Sequence, residues 1–261
     1  MISAAEQPLL AASGLTKYYG AQLGCRDVSL DLYEGEVMAV VGESGSGKST
    51  LLQLLSGQIE PGSGEVRYRT RDGQTTSLWE MSEPARRFLY RTDWGFVHQD
   101  PQRGLRMGIS AGGNVGERLM AVGWRNYAQI RDAAADWLGR VEISQTRIDD
   151  TPRTYSGGMR QRLQIARNLV TSPRLIFMDE PTGGLDVSVQ ARLLDLLRRI
   201  VSDLRIAAII VTHDLAVARL LSNRIMVMKD GVVIETGLTD QVLDDPQAPY
   251  TQLLVSSILP A

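Results

Sequence analysis

Eight residues, Gly42–Ser49, combine three glycines, a lysine and hydroxyl groups in a Gly-x-x-x-x-Gly-Lys-Ser spacing that suits a phosphate chain. Backbone N–H groups can curl around phosphate oxygens where no Cβ obstructs them. The almost wholly apolar run Glu36–Val41 precedes this phosphate loop, and helical patterning begins at Leu51, so a buried strand would lead in and a helix would follow. The positive end of that helix would face the same anion. The sequence therefore predicts a nucleotide site.

The side chains of the phosphate loop have separate expected roles. Lys48 would reach the β- and γ-phosphates, and the Ser49 hydroxyl would bind Mg²⁺, so the expected cofactors are ATP and Mg²⁺. The residues of the loop predicted to bind the nucleotide are Gly42, Ser44, Gly45, Gly47, Lys48, Ser49 and Thr50. A glycine- and serine-rich loop without a ligand is the alternative, and the strand–loop–helix context favours the phosphate site over it.

A second apolar strand pattern, Leu175–Met178, ends in two carboxylates, Asp179 and Glu180. Functional groups in open parallel sheets gather at the carboxyl ends of strands. Asp179 would hold Mg²⁺ through its coordinated waters, and Glu180 would orient and deprotonate the attacking water. Taken alone, an acidic pair after a strand is as often a simple helix N-terminus. The phosphate loop in the same chain favours the catalytic interpretation.

A third motif, Ser156-Gly157-Gly158, precedes a helix whose apolar stripe includes Leu163 and Leu169. A serine and two glycines at a helix start form a second anion-binding terminus, separate from the phosphate loop. Two such termini in one chain predict a two-fold dimer in which each Ser156–Gly158 segment caps the γ-phosphate of the partner. The expected partner is therefore a second subunit with the same two termini, either a copy of this chain or a related protein.

With these motifs in order along essentially the whole chain, the sequence resembles the ATP-binding cassette (ABC) family. The signature of that family is Leu-Ser-Gly-Gly-Gln; here Tyr155 and Met159 occupy its outer positions, and the Ser-Gly-Gly centre is intact. The resemblance implies an ATPase that converts ATP and water to ADP and phosphate. It also implies an α/β fold, a P-loop NTPase core of ABC type with an antiparallel β subdomain and an inserted helical lobe.

The resemblance also assigns roles to single residues. Tyr19 is similar to the aromatic residue that stacks on adenine, and Gln99 to the glutamine that contacts Mg²⁺ and the water. Asp186 is similar to the aspartate that couples the two sites of the dimer, and His213 to the histidine that touches the γ-phosphate. Without the family, Tyr19 would be interpreted as a core or surface residue and a lone histidine as structural. His98 is left as structural or partner-facing.

The segment from about residue 81 to 155 changes character. Stretches of helical period alternate there with glycine-rich loops, of which Ser110–Asn114 is one. We interpret this segment as a mostly helical lobe inserted into an α/β core of residues 1–80 and 156–261, which makes the chain a single domain over residues 1–261.

Two branches of the family compete for this chain. The segments 186–191 and 249–254 resemble the dipeptide and oligopeptide importers, a group whose chains usually continue well past this tail, often with a cysteine-containing extension. Most of residues 91–121, with segments 162–170 and 177–197, resembles the cassette proteins of the bacterial carbon–phosphorus lyase pathway for phosphonate breakdown. That resemblance implies docking on the lyase core complex, and the alternative is the nucleotide-binding subunit of a peptide or phosphonate importer.

The composition argues against several other classes of protein. A net charge of −2 argues against a dedicated nucleic-acid surface. The single cysteine, Cys25, excludes an intrachain disulfide and predicts a small buried hydrophobe. The first residues have no basic segment ahead of an apolar stretch, so we do not expect a signal peptide among them. No apolar run approaches the roughly 18–20 residues that span a bilayer. We expect a cytoplasmic protein, peripheral to the inner membrane only if it serves an importer.

A P-loop kinase is a further alternative, but it would not need Ser156-Gly157-Gly158.

Overall fold

The computed structural model describes residues 7–257. Its contacts divide the chain into two compact units. The first unit comprises the described residues of Met1–Arg86 and Ala207–Ala261, and the second comprises Arg87–Ile206. The second unit holds most of the predicted helical lobe but extends well beyond residue 155, and the predicted boundaries of core and lobe stay a prediction.

The described residues form both strands and helices, as an α/β fold requires. The strands are β1 (Leu10–Tyr19), β2 (Gln22–Leu32), β3 (Val37–Val41), β4 (Ser63–Arg69), β5 (Thr75–Ser77), β6 (Trp94–Val97), β7 (Leu175–Asp179), β8 (Ala207–Thr212), β9 (Arg224–Lys229) and β10 (Val232–Leu238). The α-helices are α1 (Lys48–Leu55), α2 (Glu83–Thr92), α3 (Pro101–Gly104), α4 (Ala111–Ala121), α5 (Tyr127–Arg140), α6 (Gly157–Leu169), α7 (Val187–Leu204), α8 (Leu215–Leu221), α9 (Thr239–Asp244) and α10 (Pro249–Ser256).

An antiparallel sheet in the first unit confirms the predicted β subdomain. Its strand order is β2-β1-β4-β5. In β2, the buried side chains of Val28, Leu30 and Leu32 alternate with exposed ones, which is the period expected of a strand with one face in the core. A hairpin turn at Asp72-Gly73, a dipeptide typical of such turns, joins β4 to β5. Cys25 of β2 is buried as predicted, and burial raises the pKa of its thiol to about 11.

The first unit also contains a parallel sheet core that carries the phosphate loop. Strand β3 lies between β8 and β9 and runs parallel to both, and β10 returns antiparallel to β9 through the Asp230-Gly231 turn. All five residues of β3 are buried, as its apolar run predicts. Helices α8 and α9 supply apolar side chains to the same core, and Tyr250, Leu254 and Val255 of α10 pack against it. The sequence around residues 251–258 predicts a short tail helix, and α10 confirms it; Ile258 lies outside the described residues.

In the second unit, β6 pairs with β7 in parallel, with Phe96 opposite Phe177. One prediction for this region is wrong: Ser110–Asn114 is not a loop, since α4 begins at Ala111. The Ser110 hydroxyl accepts a hydrogen bond from the Gly113 N–H at 3.1 Å and so caps the helix. A Cβ at Gly112 would lie 2.6 Å from Ile148, so glycine at this position of α4 allows the helix to pack closely against Ile148. No helix within residues 7–257 has both the length and the apolar character to cross a membrane.

Candidate active site

The phosphate loop joins the end of β3 to the start of α1, and two of its glycines are required by close backbone packing. Gly42 has φ 149°, and a Cβ there would lie 2.2 Å from the carbonyl oxygen of Met228. Gly47 has φ 97°, and a Cβ there would lie 2.3 Å from the carbonyl oxygen of Gly24. Both positions therefore exclude any side chain, and strands β2 and β9 fix the path of the loop.

The loop wraps around its own lysine. The Lys48 ammonium is buried and donates hydrogen bonds to the carbonyl oxygens of Gly42 at 2.8 Å and Glu43 at 2.7 Å. Helix α1 begins at Gly47, which has no side chain to accept hydrogen bonds from the first-turn amides. A buried ammonium and an uncapped helix start are the two features that an anion would complete, so these residues fit a bound phosphate chain.

Tyr19 and Thr50 lie beside this loop. A Cβ at Gly24 would lie 3.0 Å from ring carbon Cε2 of Tyr19 and 2.9 Å from Cγ2 of Thr50, so both side chains border the same glycine. The Tyr19 side chain is 47% exposed. An aromatic ring next to the first turn of α1, with half of its surface open, is suited to stacking on a planar base.

His213 follows β8 directly, and it reaches the same edge of the sheet as the phosphate loop. Strand β8 pairs with β3 so that Thr212 lies opposite Val41, the residue before the loop. The His213 side chain is exposed, while Asp214 accepts hydrogen bonds from the first-turn amides of α8 and caps that helix. The first unit thus brings together the phosphate loop, Tyr19 and His213.

The predicted catalytic carboxylates end β7 in the second unit. Glu180 has φ 42°, a left-handed conformation that is costly for a residue with a side chain and that occurs preferentially at functional sites. Its carbonyl oxygen accepts from the Gly183 N–H at 2.9 Å, which closes a turn directly after Asp179. The Gln99 amide donates to Oε2 of Glu180 at 3.3 Å. The structure therefore brings together Gln99 and Glu180, which are 81 residues apart in the sequence.

The start of α6 is packed against the start of α7. A Cβ at Gly158 would lie 2.5 Å from Cγ1 of Val189, so only glycine allows this approach. Ser156 caps α6, since its hydroxyl accepts from the Met159 N–H at 3.3 Å. Asp186 precedes α7 but makes no side-chain capping bond to it, and it is exposed. The second unit thus brings the Ser156–Gly158 segment close to Asp186.

The two departures from the family signature anchor the start of α6 through Arg147. The Tyr155 hydroxyl donates to the Arg147 carbonyl oxygen at 2.8 Å, and the Arg147 guanidinium lies 4.6 Å from the centre of the Tyr155 ring. Burial raises the pKa of Tyr155. The same guanidinium donates to the sulfur of Met159 at 3.4 Å. Tyr155 and Met159 therefore hold the helix start in place and leave its Ser-Gly-Gly centre unaltered.

Sequence reasoning missed two sets of contacts at the site. The first is a row of buried carboxamides on α6, Gln161, Gln164 and Asn168, which bond to the backbone of Phe96 in β6 and of His98 directly after it. Their spacing of three and four residues on an otherwise apolar face was the available signal. The second is the Tyr250 hydroxyl, which accepts from the Glu43 N–H in the phosphate loop at 3.3 Å. No local sequence signal connects residues 43 and 250.

Comparison with known proteins shows to which family this chain belongs. The sequence profile of the family described as "ABC transporter" matches residues 25–183, more than half of the chain. The chain belongs to the ABC transporter family. As an ATP-binding cassette it binds ATP and hydrolyses it, so the predictions of the family, the α/β fold and the ATPase activity are confirmed.

Individual relatives are similar over nearly all of this cassette. The chain is 63% identical over 253 residues to "Putative phosphonates utilization ATP-binding protein PhnK" of Escherichia coli (strain K12), covering 97% of this chain and 98% of the relative. It is 36% identical to a putative peptide import ATP-binding protein of Brucella melitensis biotype 1, covering 97% of this chain and 78% of the relative.

Among solved structures, the dimeric post-hydrolysis state of the ATP-binding cassette MJ0796 bound to ADP and Pi is 30% identical to this ABC chain. The match has a TM-score of 0.77 and covers 88% of this chain and 98% of that one. The cassette cbiO1 of Clostridium perfringens is 30% identical with a TM-score of 0.79, covering 92% of each chain. Cassettes of this family therefore form dimers, as the two helix termini predicted.

Proposed function

We propose that this chain is an ATPase of phosphonate utilisation that docks on the carbon–phosphorus lyase core complex and drives an ATP-dependent cycle of opening and closing in paired cassettes. The observation that carries the proposal is the 63% identity to a phosphonate utilisation ATP-binding protein over almost the whole of both chains. The peptide import relatives are 36% identical and the chain spans 78% of the length of the first of them, so they support an importer role less strongly.

In the proposed cycle, ATP binds first through the phosphate loop. The Lys48 ammonium and the uncapped start of α1 stabilise the negative charge of the triphosphate. Tyr19 stacks on the adenine, and His213 contacts the γ-phosphate. The further residues proposed to bind nucleotide are Gly42, Ser44, Gly45, Gly47, Ser49 and Thr50.

Mg²⁺ fits the donor atoms that these residues offer. Ser49 has a hydroxyl, Asp179 a carboxylate and Gln99 an amide oxygen, and hard oxygen donors are the ligands that Mg²⁺ prefers. We propose these three residues as its ligands, directly or through coordinated waters. When bound, Mg²⁺ would offset negative charge on the β- and γ-phosphates.

Hydrolysis is proposed to depend on Glu180. Its carboxylate takes a proton from a water molecule while the water oxygen bonds to the γ-phosphorus, and the bond from that phosphorus to the bridging oxygen of ADP breaks. Gln99 assists because its amide N–H fixes the direction of the Glu180 carboxylate. A positioned base of this kind contributes roughly 10²–10⁴-fold in rate.

Closure of a pair of cassettes is proposed to come from the start of α6. The Ser156–Gly158 segment of one cassette would contact the γ-phosphate bound by the other, and Asp186 would couple the two sites. ATP then binds the closed state better than the open one, and such a difference in affinity is what shifts a conformational equilibrium. Loss of the γ-phosphate removes the contact and lets the pair reopen. We propose that this cycle operates in the cytoplasm, where ATP is available.

Co-purification with the lyase core complex tests the docking proposal. We expect the chain to elute with the purified core complex in size-exclusion chromatography, and not with a detergent-solubilised peptide-import permease. The Lys48→Ala variant is the control that separates ATP-dependent from ATP-independent association. Failure to elute with the core complex both with and without ATP contradicts the proposal, and co-elution with the permease alone favours the importer alternative.

A further inference from the structure

Along one edge of strand β6, the backbone forms hydrogen bonds with side chains. One edge pairs with β7, and no strand within residues 7–257 pairs with the other. The backbone groups of Phe96 and His98, two residues apart, face the same edge of a strand. The Phe96 N–H donates to Oδ1 of Asn168 at 3.0 Å, and Nδ2 of Asn168 donates to the Phe96 carbonyl oxygen at 2.9 Å. The carboxamide of Asn168 therefore bonds to Phe96 through both a donor and an acceptor, as a neighbouring strand would.

Gln164 repeats this arrangement two residues further along the chain, at His98, directly after β6. Its Oε1 accepts from the His98 N–H at 2.7 Å, and its Nε2 donates to the His98 carbonyl oxygen at 3.1 Å. Gln161 adds a second donor to the same carbonyl oxygen at 3.3 Å and accepts from Gln164 at 3.2 Å. We call Gln161, Gln164 and Asn168 the amide ladder.

Because its side chains are buried, the amide ladder allows only one register of α6 along β6. Gln161, Gln164 and Asn168 are 2%, 0% and 7% exposed, and their spacing places them on one face of α6. A buried amide that loses its partner keeps its full desolvation cost. Helix α6 therefore cannot slide along β6 without leaving several polar groups unpaired, and the helix and the strand must move as one body.

Two glycines allow the ladder to approach the segment that contains Gln99. A Cβ at Gly95 would lie 3.2 Å from Cβ of Asn168, and one at Gly104 would lie 2.3 Å from Oε1 of Gln164. Arg167, also on α6, donates to the Gly104 carbonyl oxygen. Helix α6 thus fixes the chain at His98, directly before Gln99, and again at Gly104.

We propose that Gln164 is a positioning residue for Gln99, and that the amide ladder makes Gln99 follow the helix that begins at Ser156. The inference deepens the proposed function and rests on the role given there to Gln99. Gln99 donates to Glu180 at 3.3 Å, near the long limit of a hydrogen bond. A displacement of a few tenths of an ångström at His98 is therefore enough to break the contact that directs the base.

A double-mutant cycle on ATP hydrolysis tests this inference. Gln164→Met keeps the length of the side chain and the helix propensity but removes the carboxamide. We expect Gln164→Met to lower kcat about tenfold with less than about a twofold change in the KM for ATP, because the ladder does not touch nucleotide. In a Gln99→Ala background the same substitution is expected to have almost no further effect, since residues that act through one another are not additive.

The outcomes of the double-mutant cycle separate the role of Gln164 from the role of Gln99. An equal loss in both backgrounds, or an unchanged kcat in Gln164→Met beside an impaired Gln99→Ala, overturns the inference. An unchanged kcat in Gln99→Ala overturns the proposed role of Gln99, and the inference falls with it. A matched control in the same unit is Asn126→Ala, which removes the cap of α5, where Asn126 accepts from the Gln129 N–H at 3.2 Å. That variant loses stability but should keep its kcat.

Amide hydrogen exchange provides a second measurement that does not depend on activity. The N–H groups of Phe96 and His98 are expected to exchange slowly although their acceptors are the side chains of Asn168 and Gln164 and not the backbone of a neighbouring strand. Gln164→Met should accelerate exchange at His98, and Asn168→Leu should accelerate it mainly at Phe96. If Gln164→Met does not fold, Asn168→Leu takes its place in the kinetic cycle. Fast exchange at both positions in the unmodified chain would overturn the inference.

Discussion

Helices α1 and α6 both begin with glycine-rich sequence, but their first turns differ in hydrogen bonding. A helix start leaves four N–H groups that need acceptors. At α1 the capping residue is Gly47, which provides no side-chain acceptor, whereas at α6 the Ser156 hydroxyl already accepts from the Met159 N–H. The first turn of α1 therefore has no capping side chain, whereas the first turn of α6 has one. A single chain should bind ATP mainly through α1, and α6 should contribute when a second cassette presents its phosphate.

The two helix starts also differ in how tightly the chain packs around their glycines. A Cβ at Gly47 would lie 2.3 Å from the Gly24 carbonyl oxygen, so packing within the chain requires glycine at this position. At Gly157 the nearest atom would be Cδ2 of Leu185 at 3.6 Å, an ordinary contact distance. Packing within the chain therefore leaves room for a side chain at Gly157. A need for glycine there would point to a ligand or partner from outside.

The largest expected effect comes from Glu180→Gln, which removes the proposed base and keeps the shape of the side chain. ATP hydrolysis should fall about 10³-fold, within the range of a general base. ATP binding should persist, and the variant should accumulate as an ATP-dependent closed dimer in size-exclusion chromatography, with α6 of each chain at the phosphate of the other. An unchanged rate of hydrolysis would show that Glu180 is not the base.

Lys48→Ala tests the α1 side of the comparison. Loss of the buried ammonium should raise the Kd for ATP by about 10- to 100-fold, because two of its three N–H groups bond to the loop and one charge-assisted hydrogen bond to phosphate is worth about 1.5–3 kcal/mol. Equilibrium binding of a fluorescent ATP analogue to the monomeric chain measures this effect. An unaltered Kd would contradict the assignment of the phosphate loop. Arg26→Ala, an exposed change on β2, serves as the control for charge alone.

The part of the site that lies in contiguous residues could be predicted from the sequence. The phosphate loop depends on backbone conformations that its own glycines allow, and its flanking apolar run predicted β3 correctly. Strand ends marked by Asp179 and His213 were predictable for the same reason, since an apolar run followed by polar residues defines where a buried strand stops.

Contacts between distant segments could not be predicted. The amide ladder joins residues 63 to 72 apart in the sequence. The spacing of its carboxamides on an otherwise apolar face of α6 signals that they are buried, but it does not identify Phe96 and His98 as their partners. The start of α4 was assigned wrongly because Gly112 and Gly113 lower helix propensity. Their cost is offset in the fold by the Ser110 cap and by Asn114, whose amide bonds back to the carbonyl oxygens of Arg106, Ile109 and Ser110.

Gly157→Ala and Gly158→Ala sharpen the comparison from the α6 side. Gly158→Ala should lower the melting temperature, because its Cβ would lie 2.5 Å from Val189, and Gly157→Ala should leave it nearly unchanged. Gly157→Ala should nevertheless reduce hydrolysis about tenfold, as expected for roughly 1.4 kcal/mol lost at the transition state, while the Kd of the monomer for ATP stays the same. Hydrolysis at the full rate in Gly157→Ala would remove this residue from the proposed contact with the partner phosphate.

The smallest expected effect concerns the phosphate loop itself. Tyr250→Phe removes the hydroxyl that accepts from the Glu43 N–H but keeps the ring, which lies 4.7 Å from the Lys229 ammonium. Loss of one hydrogen bond of about 1 kcal/mol should raise the KM for ATP about two- to fivefold with little change in kcat. Gln252→Ala is the matched control, because Gln252 also bonds within the tail, to Pro246 at 3.0 Å, without reaching the loop. An equal rise in KM in both variants would mean that the tail acts through its general stability. A rise confined to Tyr250→Phe would mean that α1 depends on a contact from the far end of the chain to hold its loop ready for phosphate.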